Sequence, residues 1–324
     1  MAQPTDRDAT FHAGEIVWQE RAGVDARMAQ IGPRVIREGM SDEHRELFEK
    51  LPTLLVGSVD PAGRPWASVL AGWPGYMATP DAQTLRVDAL PHPADPLRAQ
   101  LAVGAAVGML GLEPQTRRRN RANGTIIDVD AAGFTMHVEQ SFGNCPRYIQ
   151  ARRPRWVDRT TAALEPARVL GPSLGAAARG WIGRADTLFI ASAAPPEARG
   201  MRSGGVDVSH RGGRPGFVTL TTGVDGGDVL TLPDYPGNNF YNTLGNIEAW
   251  PYAGLLFIDY ACGDTLQLTG RATIATDAVA LRAWPGAQRL VQLHVDSGMW
   301  TPAAMPFAWS EPQMAPQLAA FAVA

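Results

Sequence analysis

The second half of this chain repeats the first. Placing Ile247 on Leu101, a shift of 146 positions, aligns Leu101–Ile127 with Ile247–Thr273 without a gap. Gly108 then falls on Gly254, Leu110 on Leu256, Glu113 on Asp259 and Gly124 on Gly270. With a small insertion His137-Val138-Glu139 meets His294-Val295-Asp296, and upstream Pro74-Gly75-Tyr76 resembles Pro215-Gly216-Phe217. Matches in one order inside matching strand patterns point to a tandem duplication, so whatever fold one half adopts the other must adopt too.

Short apolar runs bounded by Gly, Pro or Asp define the repeated unit. In the first half strands are predicted at Leu54–Asp60, Pro65–Ala71, Thr84–Ala89, Ala105–Leu112, Arg117–Ile127 and Phe134–Ser141. Helices are predicted from the N-cap Ser41 to Leu51, with Asp42 and Glu43 in the first turn, and over Asp95–Val103. In the second half the strands are Asp186–Ala193, Gly205–Ser209, Phe217–Thr222, Val229–Leu232, Gly254–Asp259, Thr265–Ala275 and Arg289–Val295. Many short strands with one helix among them suggest a small barrel in each half. The expected division is an arm (residues 1–40), a first barrel (41–157), a linker ending in a helix near Ser173–Trp181 (158–185), a second barrel (186–300) and a Pro- and Ala-rich tail laid over the surface (301–324). Its stretch Phe11–Val24 reads as an arm or a short helix packing on a neighbour.

The formal net charge of −3 offers no global attraction to nucleic acid or an anionic membrane, so any anion site must be local. Two cysteines, Cys145 and Cys262, are too few for a disulfide framework and lack metal-ligand spacing. An irregular set such as His12, Glu15 and His44 gives no metal signature either. The N-terminus lacks an apolar signal region and no run is long enough to cross a bilayer, so the expectation is a cytoplasmic protein.

The richest stretch runs from Gly205 to Asn246. Asp207, Ser209, His210 and Arg211 precede a Gly-Gly turn, Arg214 follows it, and Asn238, Asn239, Asn242 and Thr243 stand where a helix begins. Ser, Thr, Asn and Arg at a helix N-terminus suit phosphate oxygens, although Asn and Thr there are also ordinary caps. The halves diverge at this point. Asn242 and Thr243 correspond to Pro96 and Leu97, which carry no side-chain donor, whereas Thr265 and Gln267 correspond to Arg119 and Arg121, two positions apart on one face of a strand. One half is predicted to hold the helix-end site and the other to lend it charge. Arg117, Arg118, Arg119 and Arg121 form the densest cationic cluster, to be satisfied by an anion or simply by solvent. Tyr235, Phe240, Tyr241 and Trp250 are candidates to stack on a ring or to pack as core. Cys145 has no His–Asp partners in sequence and reads as a structural thiol.

Three segments, VDVSHRGGRPGFV (Val206–Val218), LPDYPGNNFYNTLGNI (Leu232–Ile247) and GDTLQLTGRA (Gly263–Ala272), resemble the pyridoxamine 5′-phosphate oxidase-related, FMN-binding split barrels. TRRRNRANG (Thr116–Gly124) and QSFGNCPRYI (Gln140–Ile149) are similar to a subgroup with two such barrels in one chain. The resemblance spans roughly Ser41–Ser141 and Ser173–Val295. It implies a mainly β, α+β fold, two FMN-binding split barrels forming an internal pseudo-dimer with flavin in the groove between them. It further implies an oxidoreductase passing hydride from a soluble reductant such as NAD(P)H to a small acceptor, with homodimerisation open and no catalytic residue assigned. The cofactor-binding residues expected are Ser209, His210, Arg211, Arg214, Asn239, Asn242, Thr243, Gln267, Arg119 and Arg121, with Gln267 on the ring edge. The family's Arg-Lys phosphate pair falls here on Asn242 and Thr243, upstream of Pro251, which removes two cations. That departure keeps a non-catalytic flavin- or haem-binding protein as the alternative, and argues against an oxidase of pyridoxal-type vitamers.

Overall fold

The computed structural model describes residues 10–158, 165–198 and 203–321. The N-terminal end of the arm, residues 159–164 of the predicted linker, residues 199–202 of the predicted second barrel and the last three residues of the tail lie outside them. Helices α1 (Ala13–Arg21), α2 (Asp25–Val35) and α3 (Asp42–Lys50) precede the first sheet. Ser41 caps α3 by accepting from the His44 N–H, with Asp42 and Glu43 in the first turn, as predicted.

The first sheet contains β1 (Thr53–Val59), β2 (Pro65–Ala71), β3 (Met77–Asp81), β4 (Thr84–Val87), β5 (Ala106–Glu113), β6 (Arg118–Val129) and β7 (Phe134–Gly143), with α4 (Leu97–Gln100) before β5. After β8 (Pro154–Trp156), β9 (Arg168–Leu170) and α5 (Ala176–Arg184) come the strands of the second sheet. These are β10 (Thr187–Ala193), β11 (Val206–Gly212), β12 (Thr219–Thr222), β13 (Asp228–Asp234), β14 (Tyr252–Ile258), β15 (Thr265–Ala275) and β16 (Arg289–Thr301). Helix α6 (Asn242–Ala249) precedes β14, α7 (Ala278–Leu281) precedes β16, and β17 (Phe307–Trp309) pairs with β8.

Strand order runs β2-β1-β5-β6-β7-β4-β3 in the first sheet and β11-β10-β14-β15-β16-β13-β12 in the second. The two orders are the same, strand for strand, so the chain is two split β-barrels in tandem. The repeated glycines mark the same features in each. Gly124 and Gly270 sit at register shifts of β6–β7 and β15–β16, where a Cβ would lie 1.9 Å from the His137 or His294 carbonyl oxygen.

Both faces of the central strands are buried, which is why they read as continuous apolar runs. Leu54, Val56 and Met109 fill the first barrel, and Leu188, Ile190, Leu255 and Phe257 fill the second. The alternate side chains, Leu55, Leu110 and Leu112 from one barrel and Phe189, Ala191, Leu256 and Ile258 from the other, form a third core between them. Glycine sets how closely the barrels approach. A Cβ on Gly108 would meet the Val206 carbonyl oxygen at 2.4 Å, and one on Gly254 would meet that of Pro65 at 2.4 Å.

The structure corrects four sequence expectations. The arm, read as an arm or one short helix on a neighbour, has two helices among its described residues; α1 does pack on a neighbour, crossing α6 so closely that a Cβ on Gly14 would lie 2.2 Å from the Gly245 carbonyl oxygen. The predicted Asp95–Val103 helix is only α4, because Leu101 is already extended and Gly104 turns the chain at φ 89° into β5. Strand β3 was absent from the prediction; it is an edge strand containing Pro80, a residue that breaks the strand pattern but is tolerated at an edge. The tail is not merely laid on the surface, since Met305, Phe307, Ala315 and Leu318 are buried. No helix among the described residues is long and apolar enough to cross a membrane.

Candidate functional site

Strand β6 of the first barrel projects Arg119 and Arg121 from one face across the seam onto β11 of the second. Arg121 is 3% exposed. Its Nη2 donates to the Val208 carbonyl (3.2 Å) and to Ser209 Oγ (2.5 Å), its Nη1 donates to Asn242 Oδ1 (2.9 Å), and Asp207 Oδ1 lies 2.8 Å from Nη1. Arg119 donates to the Cys145 carbonyl (2.7 Å) and to that of His210 (3.4 Å). Ser209 in turn donates to Asp207 Oδ2 (3.2 Å) and accepts from Thr243 Oγ1 (3.3 Å) at the start of α6.

These groups line a cleft that also takes in Asn144, Tyr148, Arg211, Tyr235 and Tyr241. Its charge is strongly positive: Arg119, Arg121, Arg147, Arg211 and Arg289 line it, and Asp234 is the one acid among the lining residues. Asp234 pairs with Arg289 at 2.9 Å and, at 3.7 Å, with Arg211. Burial, then the charges of Arg211 and Arg121, push the Arg119 guanidinium down to about 9. Burial also lowers Arg121, with Asp207 opposing it. Both stay cationic at neutral pH.

His210 is 3% exposed, and neither ring nitrogen has a hydrogen-bond partner. Burial first, then the charges of Arg119, Arg211 and Arg152, hold it well below the usual histidine range, so it is neutral at pH 7. Arg121 Nε, Arg211 Nε and Asn144 Nδ2 are likewise buried without partners. An unpartnered buried polar atom costs about 1–3 kcal/mol, and a cluster of them at one cleft is an unmet demand for acceptors.

At the mouth, Tyr148 and Tyr235 stand with ring centroids 5.1 Å apart, and Phe321 of the tail stacks on Tyr235 at 4.8 Å. Behind the cleft, the arm reaches in. Glu15, 4% exposed, accepts from Asn242 Nδ2, and His12 Nε2 lies 2.9 Å from Asn246 Oδ1. Burial raises the Glu15 carboxyl above the ordinary range, against the lowering effect of His12.

Of the ten cofactor-binding residues expected from the sequence, Arg119, Arg121, Ser209, His210, Arg211, Asn239, Asn242 and Thr243 meet at this cleft. The other two do not. Arg214 donates to the Leu318 carbonyl (3.2 Å) and holds the tail. Gln267 sits on the other side of the seam, where its Nε2 donates to the Ala67 carbonyl (2.9 Å), Ser68 Oγ (3.0 Å) and Asp95 Oδ2 (3.1 Å). The Asn242 side chain is also not a free donor, being shared between Arg121 and Glu15, and the residue capping α6 is Tyr241 in a left-handed conformation. The arginine cluster divides: Arg117 holds the Ile149 carbonyl (3.0 Å) and the tail, Arg118 pairs with Glu43 (2.9 Å), and only Arg119 and Arg121 face the cleft. Phe240 packs against Phe11 and Phe142, and the Trp250 indole donates to the Gly63 carbonyl (2.8 Å). Sequence reasoning weighed Glu15 only as part of an irregular metal set and did not place it beside Asn242; its one signal was the His12-x-x-Glu15 spacing of a capping box, which does form. It also missed Asn144, Tyr148 and Arg289, which carried no spacing signal.

The Gln267 position is the pseudo-twofold twin of Arg121. Gly57 pairs with Ala67 and Gly108 in one barrel as Ala191 pairs with Val208 and Gly254 in the other. By that register Ser68 matches Ser209, and Arg121 and Gln267 make the same two contacts on opposite sides of the seam.

No family model matches the sequence, and no curated protein matches it. Among solved structures the chain is similar to HupZ of Group A Streptococcus, at 12% identity over 38% of this chain and 90% of that one, with a TM-score of 0.29. It is similar to a putative pyridoxamine 5′-phosphate oxidase from Lactobacillus delbrueckii at 17% identity over 33% and 95%, with a TM-score of 0.26. It is also similar to HutZ, the haem storage protein of Vibrio cholerae, at 12% identity over 40% and 95%, with a TM-score of 0.26. By its own strand order, register and seam, the chain is a tandem pair of split β-barrels.

Proposed function

We propose that the chain binds one FMN in the Arg119–Arg121 cleft and works as an oxidoreductase between a soluble reductant, such as NAD(P)H, and a small acceptor. The observation that carries this reading is the set of buried, unpartnered donors at one side of the seam, Arg121 Nε, Arg211 Nε and Asn144 Nδ2, beside neutral His210. They suit a phosphate and the carbonyl-rich edge of a flavin, which is an acceptor-rich group. Arg119, Arg121 and Arg211 would supply the cationic donors that Asn242 and Thr243 do not. The flavin, when bound, supplies the hydride chemistry, and the chain's own task is to hold, orient and shield it. Tyr148 and Tyr235 offer flat apolar faces to the cleft, and Phe321 stacks on Tyr235. Neutral His210 is able to donate one hydrogen bond and accept another at the cleft wall.

The test is an absorbance spectrum of purified protein before and after equilibration with FMN and removal of the excess. The expected result is the two visible bands of oxidised flavin at one equivalent per chain, bleached by NADH or NADPH; protein that takes up no FMN from excess would overturn the reading. A second reading, a haem-binding protein, rests on His210 alone, since a buried neutral imidazole with both nitrogens unpartnered is a ready iron ligand. A Soret band lost in His210→Ala would favour it.

A further inference from the structure

We propose that the cavity at the twin of the cationic cleft is a second ligand site, selective for a small apolar molecule carrying an ammonium group. The inference stands on that cavity's own residues, independently of whether the first cleft holds flavin.

The cavity encloses about 280 Å³ and is lined by Val69, Leu70, Leu90, Pro91 and Pro306 around a polar floor of Asp95, Thr265 and Thr301. By the strand registers, Val69 stands where the first cleft has His210, Leu70 where it has Arg211 and Thr265 where it has Arg119. Every cation of the first cleft that has a partner position here is replaced by a neutral or apolar side chain. No Lys or Arg lines the cavity, and the charged group on its floor is the carboxylate of Asp95. The duplication has kept the space and reversed the charge.

Asp95 is 9% exposed and receives only neutral donors: Ser68 Oγ at 2.6 Å, the Leu97 N–H at 2.8 Å and Gln267 Nε2 at 3.1 Å. No ion pair reaches it among the described residues. Burial pushes its carboxyl up to about 6, so the chain alone stabilises the anion poorly. A buried charge without a counter-ion is costly, and a cation entering the cavity removes that cost. Thr301, 2% exposed, has an Oγ1 without a hydrogen-bond partner, a second polar atom on the same floor for an ammonium N–H. The apolar collar suits a short alkyl or aryl body, and the volume lies just below the roughly 300–1,000 Å³ of sites for drug-sized ligands. His92 at the rim is exposed, and burial holds it below the usual histidine range, so it adds no positive charge at neutral pH.

The experiment titrates the full-length, isotope-labelled protein at about pH 8, where Asp95 is ionised, with n-butylammonium chloride, n-butanol or sodium butyrate. The readout is the amide shifts of Val69, Ala71 and Leu90. We expect saturable shifts with butylammonium, weaker ones with butanol and none with butyrate. Asp95→Asn should weaken butylammonium binding about tenfold or more, through loss of a charge-assisted contact. Ala304 also lines the cavity, and Ala304→Phe, which fills space there and leaves Asp95 in place, should abolish binding in a folded protein. Absence of saturable shifts with butylammonium, equal binding of butyrate, or unchanged affinity in either variant would overturn the proposal and leave Asp95 as a cap for the Leu97 N–H.

Discussion

Removing Arg121 tests the seam and the site at once. Its guanidinium is buried, lies 2.8 Å from Asp207, and bridges β6 to β11 and α6. Arg121→Ala leaves Asp207, 3% exposed, with only the Ser209 hydroxyl. Breaking a buried pair by deleting one partner costs about 3–5 kcal/mol. Arg121→Gln should cost less, about 1–3 kcal/mol, because the twin Gln267 already shows that an amide at this position reaches the equivalent carbonyl and serine hydroxyl. Adding Asp207→Asn to Arg121→Ala should return about 1–3 kcal/mol, the coupling expected of groups in direct contact. Urea unfolding followed by both tryptophan fluorescence and circular dichroism measures these differences and checks that the two barrels unfold together. In the same variants, FMN affinity should fall about 10- to 150-fold in Arg121→Gln, the equivalent of a lost charge-assisted hydrogen bond. Additivity of Arg121→Ala and Asp207→Asn within about 0.5 kcal/mol would refute the buried pair. Unchanged FMN affinity in Arg121→Gln would refute the role of this arginine in the site.

Three further outcomes follow from the packing. Gly108→Ala and Gly254→Ala each place a Cβ 2.4 Å from a backbone oxygen across the seam, so each should cost about 2–3 kcal/mol and lower the melting temperature by a similar amount, whereas an alanine at the open Gly171 should leave it unchanged. Asp95 is raised from 3.8 to about 6 in the folded state, so the unfolded chain releases its proton first as pH rises; this group's stabilisation is full below about pH 4 and lost through pH 6, about 3 kcal/mol in all, and Asp95→Asn should flatten that part of the stability–pH curve. Gly245→Ala drives a Cβ to 2.5 Å from the Glu15 backbone nitrogen, so it should lift α1 off α6, and limited proteolysis should cut the arm faster than in the unaltered protein.

The fold was legible in the sequence to the extent that it depends on local patterning. Strand-length apolar runs, turn residues and the Ser41 cap are each set by a few neighbouring residues, and the 146-residue repeat carried the pairing of halves without any long-range knowledge. Gly108 with Gly254, and Gly124 with Gly270, stood out because a close approach and a strand bulge each exclude a side chain wherever they recur. The face shared by Arg119 and Arg121 followed from the two-residue period of a strand. What the sequence could not decide was which of several chemically equal residues meet. Arg117 and Arg119 stand two residues apart in the sequence, yet Arg117 takes a left-handed conformation just before β6 and holds the tail at Gln313, while Arg119 on the strand lines the cleft beside the His210 carbonyl. Gln267 and Arg121 are twins by alignment, and only the crossing of two barrels shows that they serve opposite sides of one seam. Glu15 reaches Asn242 through a helix crossing set by two glycines far apart in the chain. Periodicity and turn chemistry act over a few residues and are written in the sequence; burial, charge pairing and unpartnered donors depend on which surfaces meet, and those exist only once the chain has folded.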